Sequence, residues 1–187
     1  MKGIVFNLLE QFITDNFGDE KYEEILSQCT LKTKEPFVGP GSYPDDDLMA
    51  IVSKSVELLG IDSSDALRKF GRYCFSKFAE KFPDFVRSHN HPKPFLKTVE
   101  SIIHIEVKKL FKDAQPPRFV YDDQSANTLI IRYQSKRKLC QFMEGMIEGV
   151  GDYYKSPIQY KQNTCMLEDG DVCEFDLTFA PEGSKVL

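Results

Sequence analysis

The chain has 187 residues, 41% of them hydrophobic, and a formal net charge of -5. That is enough apolar material for one domain of ordinary size, or one domain with two lobes. The acidic balance and the lack of a long basic block argue against nucleic acid as the main partner.

The N-terminus, MKGIVFNLLEQF, turns amphipathic and acidic too soon for a signal peptide. No apolar run approaches the roughly 20 residues that span a bilayer. The expectation is a cytoplasmic protein that makes no use of a membrane. Five cysteines, at 29, 74, 140, 165 and 173, are an odd number without a secretion signal, so a disulfide framework is not expected.

GIVFNLLEQFITDNFG predicts a first helix, with Val5, Leu8, Leu9, Phe12 and Ile13 on one face and a stop at Gly18. KYEEILSQC predicts a short second helix. PFVGPGSYPDDD is punctuated by Pro and Gly and reads as a loop. PDDDLMAIVSKSVELLG carries acids suited to a helix N-terminus and ends at a Gly. SSDALRKFGRYCFSKFAEKFP predicts a helix with a Ser cap and a terminal Pro. Its face of Leu67, Phe70, Gly71, Cys74 and Phe78 sets two small residues among large ones. Tight packing against another helix explains that face; a gap for a flat ligand is the functional alternative.

RSHNHPKP breaks the helical pattern, and its two histidines suggest no site. PFLKTVESIIHIEVKKLFKDA predicts one long helix, stopped by QPP. His104 lies at the edge of its apolar stripe. A histidine there is usually a satisfied, partly buried residue, but a neutral imidazole on an apolar helix face is also what an axial heme ligand requires.

The period then changes. RFVYD and NTLIIRYQ read as strands joined by DDQSAN, KRKLCQFMEGMIEGVGDYY as a helix, and IQYKQNTCMLEDGDVCEFDLTF as a hairpin with EDGD at its tip. The tail PEGSKVL, 181–187, is expected to be loose. The fold class expected is α+β: a helical N-terminal lobe, then a lobe with a four-stranded antiparallel sheet and helices.

Tyr133, Ser135 and Arg137 alternate where the second strand ends. Alternation in a strand sends side chains to one face. These three donors, one a permanent cation, would then converge on an anion, most naturally a carboxylate or phosphate. The competing explanation is the wet face of an ordinary strand.

In its ordered combination of IIHIEVKKLF, AQPPRF and YQSKR, the chain resembles the heme-nitric oxide/oxygen binding (H-NOX) domain, in its stand-alone bacterial type, related to the heme domain of soluble guanylate cyclase. The resemblance runs from MKGIVFNLLEQF to CEFDLTF. It implies a single heme domain over 1–180, with a helical distal lobe over about 1–65, a proximal α/β lobe over about 66–180, and heme b between them. It makes His104 the proximal iron ligand and gives the heme propionates to Tyr133, Ser135 and Arg137. It makes Pro117 a contact that bends the macrocycle and sets Ile4, Leu8, Cys74, Phe78 and Phe142 against the heme.

Some members of that family bind oxygen through a distal Tyr; the matching residue here is Phe142. A charge-assisted hydrogen bond in a dry pocket is worth ~1.5–3 kcal/mol, roughly ten- to a hundredfold in affinity. Phe cannot donate one, and the thiol of Cys74 donates poorly. The resemblance therefore implies a nitric oxide sensor that excludes oxygen and is not an enzyme. In the mechanism it implies, nitric oxide weakens the iron–His104 bond, the His104 helix is freed, and the lobes shift. Because the chain ends at Leu187 without a kinase or cyclase, the expected output is a separate partner, a sensor histidine kinase or a cyclic-di-GMP enzyme.

Many bacterial members hold zinc with three cysteines, matching Cys140, Cys165 and Cys173, and a His. Here the His position is Gln162, a poor ligand, whereas a structural zinc site needs four good ones. Zinc with an outside fourth ligand, a redox-sensitive dithiol and free thiols all stay open. Three other function classes stay open as well: a thiol or zinc redox sensor using these cysteines, a heme peroxidase or nitric oxide-consuming enzyme, and a small-ligand binder without heme. The enzyme is disfavoured because no distal His–Arg pair is evident.

Overall fold

The computed structural model describes residues 1–181; the rest of the expected loose tail lies outside the described residues. Helix α1, Gly3–Phe17, stops at Gly18, whose φ of 86° suits glycine. Helix α2 covers Asp19–Ser27 and α3 Asp45–Leu59, the latter ended by Gly60 in the left-handed region. Helix α4 runs Ser63–Lys81. Its cap is Asp62, which accepts the Asp65 N–H, rather than the expected Ser; a carboxylate is the better acceptor at the positive end of a helix dipole.

The stretch expected to break the helical pattern contains a short helix, α5, Pro83–Arg87. His91 then caps α6, Pro92–Thr98, its Nδ1 accepting from Lys93 N and its Nε2 bonded to Ala180 O. Both ring nitrogens of His91 are thereby occupied.

The long helix expected over 94–114 is interrupted. After α6 comes a π-helical turn, Val99–Ile103, and then α7, His104–Leu110. His104 N–H reaches back to Val99 O, five residues away. A π turn widens the helix by one residue and rotates the next turn about the axis, a distortion frequent at functional sites. The extra residue puts α7 out of phase with α6, and Leu110, which extends the apolar stripe in sequence, is exposed.

Strands β1, Arg118–Ser125, β2, Thr128–Gln134, β3, Ile158–Thr164, and β4, Cys173–Phe179, form an antiparallel sheet in the order β1-β2-β4-β3. Helix α8 starts at Cys140 rather than Lys136 and ends at Tyr153. Its start is delayed by a turn in which Lys138 adopts a positive φ.

Two apolar cores meet at α4. Phe6, Leu9, Ile13, Ile25, Leu48 and Ile51 form the first, with Phe70 and Cys74 from α4. Phe75 and Ala79, on the other side of α4, join Leu129, Ile131, Ile147, Phe175 and Leu177 in the second. Helices α4 and α8 cross backbone to backbone. A Cβ on Gly71 would lie 2.1 Å from Phe142 O, and one on Gly145 only 1.8 Å from Arg68 O. The small residue in the α4 face thus serves helix packing. Among the described residues, no helix is long and apolar enough to cross a membrane.

Candidate heme site

The π turn sets His104 at the first position of α7, with its imidazole mostly buried. Glu100, one turn earlier, places Oε2 3.0 Å from His104 Nδ1. The same oxygen accepts Phe119 N–H at 3.2 Å. Burial lowers the His104 pKa, opposed by the Glu100 carboxylate, and the ring is neutral at physiological pH. With the Nδ1 proton donated to Glu100, the lone pair lies on Nε2, the arrangement by which second partners orient metal-binding histidines. The Phe119 ring stacks on the imidazole at 5.3 Å and 24°.

Across the β1–β2 ladder Phe119 faces Tyr133, ring to ring at 5.7 Å. Tyr133 is buried. Its phenol is pushed up to about 12 by burial, with the Ser135 hydroxyl hydrogen-bonded to it acting in the opposite direction. Strand β2 ends at Gln134, so only Tyr133 owes its direction to strand alternation. A turn closed by Lys138 N–H to Ser135 O carries the other two, and Arg137 N–H donates to Ser135 Oγ.

Arg137 is held from two sides. Its Nη1 donates to Gln115 O at 2.8 Å. Its Nε is ion-paired with Asp45 Oδ2 at 2.9 Å but, among the described residues, is buried without a hydrogen-bond partner of good geometry. Such a guanidinium is matched to one more anionic oxygen. Asp45 also takes a 2.6 Å hydrogen bond from the N-terminal ammonium. Burial raises the Asp45 pKa, but the ammonium and Arg137 outweigh it and hold the carboxyl below its ordinary value.

The apolar wall comes from the N-terminal core. Leu8 and Cys74 are buried there, with Ile4, Phe78 and Phe142 packed against them. Phe142 meets Phe70 edge-on at 5.4 Å. Burial drives the Cys74 thiol well above its usual range, so it stays protonated. Pro117 is half-buried in the segment between α7 and β1. The structure therefore joins His104, Tyr133, Ser135 and Arg137 through the contacts described, and gathers the wall residues in the neighbouring core. Sequence reasoning missed Glu100, Phe119 and Asp45. The four-residue spacing of Glu100 and His104 was a readable signal; Asp45 and Phe119 reach the site only through tertiary contacts.

A second cluster lies beside it. The sulfurs of Cys140, Cys165 and Cys173 are all within 4.8 Å of one another.

These residues fit a heme: an oriented imidazole, a buried cationic nitrogen with an ion-pair partner but no hydrogen-bond acceptor among the described residues, and an apolar wall. A model of the haem-NO-binding family matches residues 2–162. The chain is 28% identical to an H-NOX protein from Shewanella oneidensis solved in the Fe(II)NO state, covering 96% of this chain and 99% of that one, with a TM-score of 0.90. It is 30% identical to the IWP-051-bound H-NOX from Shewanella woodyi in the Fe(II)CO state, over 100% and 98% of the two chains, with a TM-score of 0.84. Against unliganded Fe(II) H-NOX from K. algicida the values are 25%, 98% and 99%, and 0.87.

Proposed function

Because this chain belongs to the haem-NO-binding (H-NOX) family of heme-based gas sensors, we propose that it binds nitric oxide at ferrous heme b, excludes oxygen and signals to a separate protein. The observation that carries this reading is a pair: the imidazole of His104 tied at Nδ1 to Glu100 with Nε2 free to ligate, and Arg137 Nε, ion-paired to Asp45 but without a hydrogen-bond partner among the described residues.

Heme supplies the metal centre that binds a diatomic gas. His104 would hold the iron through Nε2, with Glu100 fixing the ring and its tautomer. Tyr133, Ser135 and Arg137 would take the propionates, which could accept the Arg137 Nε proton that Asp45 pairs with by charge but does not accept as a hydrogen bond. Pro117 would bear on the macrocycle, and Ile4, Leu8, Cys74, Phe78 and Phe142 would exclude water. Phe142 offers a bound gas no hydrogen-bond donor, and the thiol of Cys74 offers a weak one. Nitric oxide needs no donor; oxygen gains most from one. A shift of His104 passes along α7 to the turn that follows it, where Lys2 and Ser42 clasp Asp113. The protein acts as a sensor rather than a catalyst. Its partner is of the sensor histidine kinase or cyclic-di-GMP enzyme type.

The test is the absorption spectrum of the reduced protein, with nitric oxide under anaerobic conditions and separately in air. A Soret shift with nitric oxide and no stable complex in air are expected. A stable oxygen complex would overturn the selectivity argument. A His104→Ala protein that still holds heme through a protein imidazole would overturn the ligand assignment.

The cysteine cluster favours a second reading, a thiol- or zinc-based redox sensor. In that reading Cys→Ala changes at 140, 165 and 173 abolish signalling and leave nitric oxide binding intact. Zinc there needs a fourth ligand from outside the cluster, since Gln162 turns its Nε2 to Thr164 O.

A further inference from the structure

Cys140 opens α8, Cys165 follows β3 and Cys173 opens β4, so three separate elements bring three sulfurs together. Cys173 Sγ lies 2.9 Å from Cys140 Sγ. Both of these residues are fully buried, and Cys165 is half-buried at the edge. Met166 N–H points at Cys173 Sγ and Leu167 N–H at Cys165 Sγ, each at 3.4 Å. These amides fix the direction of two sulfurs. No imidazole or carboxylate completes the cluster among the described residues.

The donor set disagrees with a structural zinc site, which closes with four protein ligands. Charge sharpens the disagreement. Zinc(II) on three thiolates leaves one net negative charge and an open position, and copper(I) leaves two negative charges. Burying unpaired charge is costly. A trivalent arsenic centre on three thiolates is neutral and pyramidal, with a lone pair where a fourth ligand would stand. Three soft sulfurs are a complete ligand set for it.

We propose that Cys140, Cys165 and Cys173 form a three-coordinate site for trivalent arsenic, entering as arsenous acid. Three S–H and three As–O bonds break, and three As–S and three O–H bonds form. Three waters leave, arsenic stays at +3, and no electron or net charge is transferred. Half-buried Cys165 is the point of entry, and the buried pair completes the site. Cys173 sits opposite Tyr133 in the β2–β4 ladder, and Cys140 lies two residues before Phe142. Closure therefore ties the start of α8 to the strand next to the Tyr133 anchor. The arsenic site is independent of the gas-sensing reading, because it uses none of the residues assigned to heme.

The experiment adds sodium arsenite to the reduced, heme-loaded protein under anaerobic conditions, with zinc sulfate in a parallel sample. Native mass spectrometry counts bound atoms, and X-ray absorption at the arsenic edge counts the sulfurs around each. One arsenic per chain with three sulfurs and no oxygen is expected. Cys165→Ser should weaken binding at least tenfold and replace one sulfur by oxygen, while Cys29→Ser changes nothing. Two sulfurs in the unaltered protein, failure to retain arsenic, or Cys165→Ser binding as tightly would each overturn the proposal. So would zinc that is held one per chain and resists arsenite. The nitric oxide spectrum of the same samples separates the two readings: its loss would count against gas sensing and leave the arsenic result untouched.

Discussion

Glu100 does two jobs with one oxygen, accepting from His104 Nδ1 and from Phe119 N–H. Removing it frees the imidazole to rotate and to change tautomer. Losing such a partner commonly costs ~10–100-fold in metal affinity, so Glu100→Ala should release heme to an apo-globin acceptor faster by about that factor. Glu100→Gln, which keeps one acceptor, should fall in between. On the proposed reading, Phe142 contributes by what it lacks. Phe142→Tyr adds a donor to the apolar wall, and oxygen affinity should rise roughly ten- to a hundredfold. Titration with oxygen at fixed temperature measures it, and an unchanged affinity would show that residue 142 does not face the gas.

The crossing of α4 and α8 is the most constrained contact between elements. Gly71 and Gly145 let the two backbones touch, and a methyl group at either would meet backbone atoms, which cannot swing aside. Gly145→Ala should therefore destabilise the fold by ~1–3 kcal/mol, the usual cost of overpacking. Denaturant unfolding should move its midpoint without changing its slope. Gly71→Ala presses instead on Phe142 O, so it should also alter gas binding, whereas Gly145→Ala should do so less. The helix carrying His104 makes the complementary point. Its apolar stripe was legible, but the π turn that aims the histidine was not, and that turn leaves Leu110, at the end of the stripe, exposed.

Across the molecule, the N-terminal lobe grips the end of the His104 helix at its rim. Lys2 Nζ lies 2.6 Å from Asp113 Oδ1 and over the Phe111 ring, and Ser42 donates to Asp113 as well. The hydrogen bonds from Lys2 and Ser42 hold the Asp113 carboxyl down at about 2. A carboxyl whose folded pKa is depressed contributes its stability above the unfolded value, ~3.9, and loses it as pH falls through the folded value. The clasp should accordingly be intact at pH 5 and above, and open between about pH 4 and 2. Asp113→Asn should mimic that opening at neutral pH. Amide exchange over residues 1–10 and 111–117 should then speed up by a few-fold at most, since exposed ion pairs are weak and screened by salt. Exchange unchanged in both segments would mean that the lobes are held elsewhere.

By itself the sequence determined the class of fold, the order of its strands and of its longer helices, and the identity of the chemical groups: a histidine on an apolar helix, a Tyr-x-Ser-x-Arg set and three cysteines. Those features are local, written in hydrophobic period, in turn residues and in side-chain type. Tertiary structure alone decided how the groups meet. Ser135 and Arg137 converge through a turn, not through strand alternation. Asp45 reaches Arg137 across the two lobes, Phe119 reaches His104 from a strand, and Cys165 reaches two cysteines on other elements. The physical reason is range. Periodicity reports the face on which a side chain lies, whereas the partner opposite it is set by the packing of whole helices and the sheet, which no short stretch of chain encodes.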